Sequence, residues 1–158
     1  MSALLVPLAV LLQVSASALP LLEDQFGKPD GPSRHPGGLV VLICGAPNKL
    51  RQMKGWEDGL KPKLGPEVDF LRVVDGRHIT RSQQEEAKAT LRKKVSPQIS
   101  ILLDWEGRYW EALNLEPGTV ELAFFSHGNP LPYRSSGRWS PTTGATVLQQ
   151  LEHFRDSS

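Results

Sequence analysis

Apolar positions along this chain fall into two patterns, continuous runs and helical spacings, which alternate. Residues 39–44, Leu39, Val40, Val41, Leu42, Ile43 and Cys44, are apolar without a break and follow two glycines. A short run rich in β-branched residues, with no polar alternation, predicts a central strand buried on both faces beneath helices. Beyond Gly45 and Pro47, Leu50, Met53, Trp56 and Leu60 recur at intervals of three and four. That spacing predicts a helix over 48–60 with Asn48 as its N-cap, weakened in its second half by Gly55, Gly59 and Pro62. Residues 68–74 predict a second strand, closed by Asp75 and Gly76.

A second helix is expected from Ser82, which stands in capping-box spacing with Glu85. Its acids, Glu85 and Glu86, lie in the first turn and its bases, Arg92, Lys93 and Lys94, in the last, both complementing the helix dipole. Ala87, Leu91 and Val95 form the inward stripe, and Pro97 ends it. Residues 99–103 form a third apolar run. Asp104 to Gly107 turn it into a short helical stretch over 109–113. Strands over 119–125 and 131–134 follow, joined at His127 and Gly128. Ser140 and Pro141 open a last helix whose inner face is Val147, Leu148, Leu151 and Phe154. Strands separated by helices imply parallel pairing, and the late hairpin adds antiparallel strands at one side.

The two ends of the first forty residues read differently. Positions 4–12 are apolar apart from Pro7, and Ala16-Ser17-Ala18 supplies an A-x-A cleavage pattern. This is the layout of a secretory signal peptide over 1–18, lacking only an early Lys or Arg; an N-terminal core helix or membrane anchor is the alternative. Residues 19–38 are rich in turn formers and predict a lead-in with at most a short strand or hairpin near 21–26. The remainder, 39–156, is one domain. With 39% hydrophobic and 22% charged residues in a 158-residue chain, and a net charge of +1, the composition argues for a globular protein and against a nucleic-acid binder. No run reaches the roughly 18 apolar residues of a membrane-spanning helix, so the mature chain is not expected to cross a membrane.

Little in the sequence announces chemistry. His35, His78, His127 and His153 are scattered, with no ligand-pair spacing, so no metal is expected. Asp104 and Glu106 are neighbouring carboxylates that a solvated turn explains. Trp56, Trp105, Trp110 and Trp139 are either groove-lining or core and rim residues. No phosphate-cradling glycine motif and no G-x-S-x-G is present, and no cofactor is expected. The one cysteine, Cys44, cannot form an internal disulfide.

The element order, with its turns, resembles the thioredoxin fold, an α/β three-layer sandwich with a mixed central sheet. More narrowly, it resembles the redoxin branch of extracytoplasmic thiol-disulfide oxidoreductases and peroxiredoxins. The resemblance is carried by residues 103–113, where a strand ends in Asp104-Trp105-Glu106-Gly107 before a short helix. Pro117-Gly118-Thr119, His127-Gly128-Asn129, Pro132-Tyr133-Arg134 and Gly137 add to it.

The departures bear on function. In such proteins the thiols sit on the first turn of the helix after the first central strand, where the helix dipole and free N–H groups favour the thiolate. With Met53 in the place of the apolar residue past the family's CxxC, Asn48 and Arg51 occupy the two cysteine positions. Cys44 lies earlier, in the strand, and Val41 stands where the peroxiredoxin version carries a threonine three residues before its cysteine. Pro117 is similar to the family's cis-proline, with Gly118 beside it in place of threonine; a trans proline opening a strand is the alternative. The resemblance therefore implies a periplasmic or secreted domain without dithiol exchange. It would bind another envelope protein or an extended peptide through Asn48, Arg51 and Pro117. The alternative is a single-cysteine thiol peroxidase or reductase using Cys44 with a thiol from a partner.

Overall fold

The computed structural model describes residues 14–156. Most of the expected leader, residues 1–13, lies outside the described residues. Its last part, Ala16–Ala18, is a single 3-10 turn. Ala16 is buried, and its N–H donates to the Gly128 carbonyl at 3.0 Å.

The lead-in folds as a small hairpin, β1 (Leu22–Glu23) and β2 (Pro29–Asp30), paired antiparallel. The main sheet follows with β3 (Leu39–Gly45), α1 (Leu50–Leu64), β4 (Asp69–Asp75), α2 (Gln84–Lys94), β5 (Ile101–Asp104), α3 (Arg108–Leu113), β6 (Glu121–Ser126), β7 (Asn129–Ser136) and α4 (Pro141–Asp156). The five strands run in the order β5-β4-β3-β6-β7, parallel from β5 to β3 and antiparallel from β3 to β7. β3 is the middle strand, and all seven of its residues are buried.

The side-chain period of two explains that burial. Val41 and Ile43 point into one core with Met53, Trp56 and Leu60 of α1, Leu91 of α2, and Val147 and Leu151 of α4. Val40, Leu42 and Cys44 point into the other, against Tyr109, Trp110 and Leu113 of α3. The result is the expected three-layer arrangement.

Several local expectations need correction. α1 does not weaken at its glycines but runs through Pro62 to Leu64. Gly59 faces the indole of Trp139, which leaves no room for a Cβ there, and a Cβ added to Gly144 on α4 would lie 2.7 Å from Trp139 Nε1. These glycines make space for a wedge between helices. Asn48 is not the N-cap. Pro47–Lys49 form a 3-10 turn, Lys49 takes the cap position, and no side chain caps it. The capping box before α2 is Thr80 with Gln83 rather than Ser82 with Glu85. Asp104 is not solvated: it is wholly buried and accepts the N–H groups of Arg108 and Tyr109 at 2.9 Å each, closing the start of α3.

The hairpin serves the sheet edge. Asp24 bridges to Leu102 of β5. The buried Gln25 amide donates to the Ile99 carbonyl at 2.7 Å and accepts the Ile101 N–H at 2.8 Å, so its side chain replaces a missing strand. At the opposite edge, Pro130 and Pro132 within β7 deny a row of donors to any incoming strand.

Candidate functional site

The end of β3 and the opening of α1 are where the sequence resemblance places chemistry. Cys44 is the penultimate residue of β3, in register with Val73 of β4 and Glu121 of β6. It is fully buried. Burial pushes its thiol well above the ordinary range, and the nearby carboxylates of Asp104 and Glu121 push the same way against Arg134. A reactive thiolate requires the reverse, an exposed sulfur in positive surroundings.

Gly45 follows, with Met53 packed so closely that a Cβ on the glycine would lie 2.9 Å from Met53 Sδ. Met53 is therefore the apolar anchor of the first turns of α1. The helix opening before it presents Asn48 and Arg51 to solvent. Among the described residues, neither side chain has a hydrogen-bond or ion-pair partner.

Both line a groove of about 470 Å³ between α1 and α2, together with Met53, Lys94, Val95, Ile99 and Ile101. Pro117 is not part of it. It lies exposed in the loop before β6, and the described chain contains no cis peptide bond, so Pro117 is trans. Because β6 runs antiparallel to β3 with Glu121 opposite Cys44, that loop enters the sheet at the end of β3 from which α1 opens. Asn48 and Arg51 are thus brought together in one groove.

The tryptophans do not line this groove. Trp56 is buried and donates Nε1–H to the Gly137 carbonyl at 2.9 Å. Trp110 is buried in the second core, with the Arg77 guanidinium 5.9 Å from its ring centroid. Beside it, Asp75 is buried and chelated by Arg77 at 2.9 and 2.7 Å. Burial raises the Asp75 carboxyl, but the hydrogen bonds from Arg77 outweigh this and hold it below its ordinary value. Asp104, its register partner on β5, is pushed up by burial against the N–H groups it accepts.

What the sequence reading missed is the wall opposite Arg51, formed by the end of α2 and the entry to β5. A buried ion pair in the groove was also missed: Glu57 of α1 accepts both Nε–H and a terminal N–H of Arg72 on β4. The one available signal was Glu57 itself, a carboxylate adjoining the apolar stripe of Met53, Trp56 and Leu60.

The histidines stay apart. His35 touches Asp30 at 2.8 Å and Asp69 at 3.0 Å, tying the hairpin to β4. His127 occupies the β6–β7 turn with φ of 51°. His153 meets the Phe154 ring edge-on. Among the described residues, no group of three or more His, Cys, Asp or Glu is placed to hold a metal ion, and no helix is long and apolar enough to cross a membrane.

No family model matches the sequence, and no curated protein matches it. Solved structures do. The pneumococcal exposed lipoprotein thioredoxin Etrx1 of Streptococcus pneumoniae strain TIGR4 superimposes with a TM-score of 0.66 at 19% identity, over 84% of this chain and 97% of that one. StoA from Bacillus subtilis gives 0.55 at 13% identity, over 83% and 94%. A secreted Mycobacterium tuberculosis disulfide oxidoreductase homologous to E. coli DsbE gives 0.52 at 12%, over 84% and 94%. Likeness at such identities speaks for the fold: this chain is a thioredoxin-like α/β domain, with a five-stranded mixed sheet and a single, buried cysteine.

Proposed function

We propose that this is an extracytoplasmic thioredoxin-like domain that acts by binding a protein or an extended peptide and carries out no dithiol exchange. One observation carries the reading. The opening of α1, where the resemblance expects a pair of thiols, offers Asn48 and Arg51 to solvent, while the one thiol is sealed in the sheet. The exposed pair has no internal task, since neither side chain is engaged among the described residues. The leader-like pattern of 1–18 supports a place outside the cytoplasm, as do two of the similar structures, an exposed lipoprotein and a secreted protein.

The test is an NMR titration with a panel of extended peptides, beside an insulin-reduction assay. Binding that shifts the amides of residues 48–53 and 117–119, and that Arg51→Glu removes without lowering Tm, supports the reading. Turnover in the reduction assay with a partner thiol would instead favour the single-cysteine alternative. Peptides that shift only other faces of the domain would contradict the proposed surface.

A further inference from the structure

α1 packs along α4 and makes little contact with α2. The cause is in the sequence of α2, whose inner face is thin: Leu91 is its one buried residue, and Ala87 beside it is small. A cleft remains between the two helices, floored by β4 and β5. One half, about 360 Å³, rests on Val74, Leu91 and Leu103. The other, about 470 Å³, rests on Val95, Ile99 and Ile101. Leu50 and Lys94 border both halves, which makes them one apolar trough. Each half lies within the roughly 300–1,000 Å³ span of small-ligand sites, which are likewise mostly apolar with a few placed polar groups.

Its charges are uneven. Glu57 neutralises Arg72, and Lys54 is paired with Asp58 at 2.6 Å. Arg51 and Lys94 have no partner among the described residues, and both stand at the larger half. The one unpaired acid on the rim, Glu86, borders the other half. A ligand that fits has an apolar body and an anionic end directed to Arg51 and Lys94.

The walls also narrow the choice. They are helices, and the floor strands are paired with each other, while the outer edge of β5 is covered by Asp24 and Gln25. No free sheet edge is offered to an extended peptide backbone, which needs hydrogen-bond partners. An acyl chain needs none.

We propose that the cleft between α1 and α2 binds a long-chain carboxylate, its chain lying on Leu50, Leu91 and Ile101 and its head group against Arg51 and Lys94. This goes beyond the protein-binding reading, with which it shares Arg51. A domain that engages no peptide could still hold the amphiphile, and one that engages a peptide near Asn48 could leave the cleft empty.

The experiment is calorimetric and NMR titration of the protein with decanoate and dodecanoate, kept below their micelle concentrations. Saturable shifts at Leu50, Lys94 and Ile101 are expected, with affinity rising about fourfold per added methylene. The double variant Arg51→Gln/Lys94→Gln, at exposed positions and with Tm unchanged, should bind roughly ten- to a hundredfold more weakly, as expected when a charge-assisted contact is lost. Dodecyltrimethylammonium should not enter. The proposal is overturned if dodecanoate gives no saturable shift in the cleft, if the double variant binds it equally well, or if an acidic peptide takes the cleft where dodecanoate does not.

Discussion

Glu57 and Arg72 offer the sharpest energetic test of this packing. Glu57 sits on the buried face of α1 beside Trp56, and its side chain is only 6% exposed, against 14% for Arg72. Arg72 Nε donates to Glu57 Oε2 at 2.9 Å, a terminal N–H donates to Oε1, and another reaches the Ser100 carbonyl at 3.4 Å. At about 3 Å and an effective dielectric of about 20, the attraction is of order 5 kcal/mol, largely offset by the desolvation of both ions. Glu57→Gln keeps the shape but leaves a guanidinium uncompensated in a place water reaches poorly. The expected loss is about 3 kcal/mol, the lower end of the range for breaking a buried pair, because Arg72 keeps some solvent contact. With a urea m-value near 1.5 kcal/mol/M, the unfolding midpoint falls by about 2 M at unchanged m. Removing both charges, as Glu57→Leu with Arg72→Met, should restore most of what either of these changes costs alone, so their double-mutant cycle gives a coupling of at least about 2 kcal/mol. A Glu57→Gln cost below about 1 kcal/mol, or simple additivity in the cycle, would show that the pair is solvated and the account of the groove wrong.

Three further outcomes follow from other contacts. Trp139 buries an indole N–H that has no partner, so Trp139→Phe should stay within about 1 kcal/mol of the parent, whereas Gly59→Ala should cost about 1–2 kcal/mol despite its better helix propensity; chemical denaturation measures both, and a stabilising Gly59→Ala contradicts the wedge. The Asp75 carboxyl is held below its ordinary value, so the stability it contributes is present above that value and is lost as pH falls through the depressed one. Arg77→Met should therefore cost about 1–2 kcal/mol at neutral pH, discounted because Arg77 is over a third exposed, and markedly less near pH 3; a penalty in Tm that does not change with pH argues against the pairing. Gln25→Ala strands the Ile101 N–H and the Ile99 carbonyl, with an expected cost of about 2–3 kcal/mol and a shift towards higher oligomers in size-exclusion chromatography as the β5 edge opens.

The parts of the fold legible in the sequence are those where burial leaves a strong pattern. The unbroken apolar run of β3 and the spacing of Met53, Trp56 and Leu60 specify strand and helix because each buries a full face. The failures arise where tertiary packing gives a residue a task its type does not advertise. Gly59 reads as a helix weakener because nothing local reveals that Trp139, eighty residues on, fills the space above it. Asp104 reads as a turn residue because its burial depends on α3 folding back over it. Thr80 and Ser82 are both competent caps, and the path of the chain out of Gly76 decides between them. The placement of Asn48 and Arg51 at the opening of α1 followed from spacing to Met53. The far wall of their groove, Val95, Ile99 and Ile101, did not, since it is set by how the end of α2 and the entry to β5 pack.

The lost redox chemistry rests on the only thiol being structural, and the accessibility of Cys44 tests this most directly. Folded protein is mixed with an aromatic disulfide reagent at pH 8, and thiol release is followed with and without denaturant. The account predicts that Cys44 is silent in the native state and reacts stoichiometrically only as the chain unfolds, because burial and adjacent carboxylates disfavour the thiolate. Prompt release of one equivalent from the folded protein would contradict it.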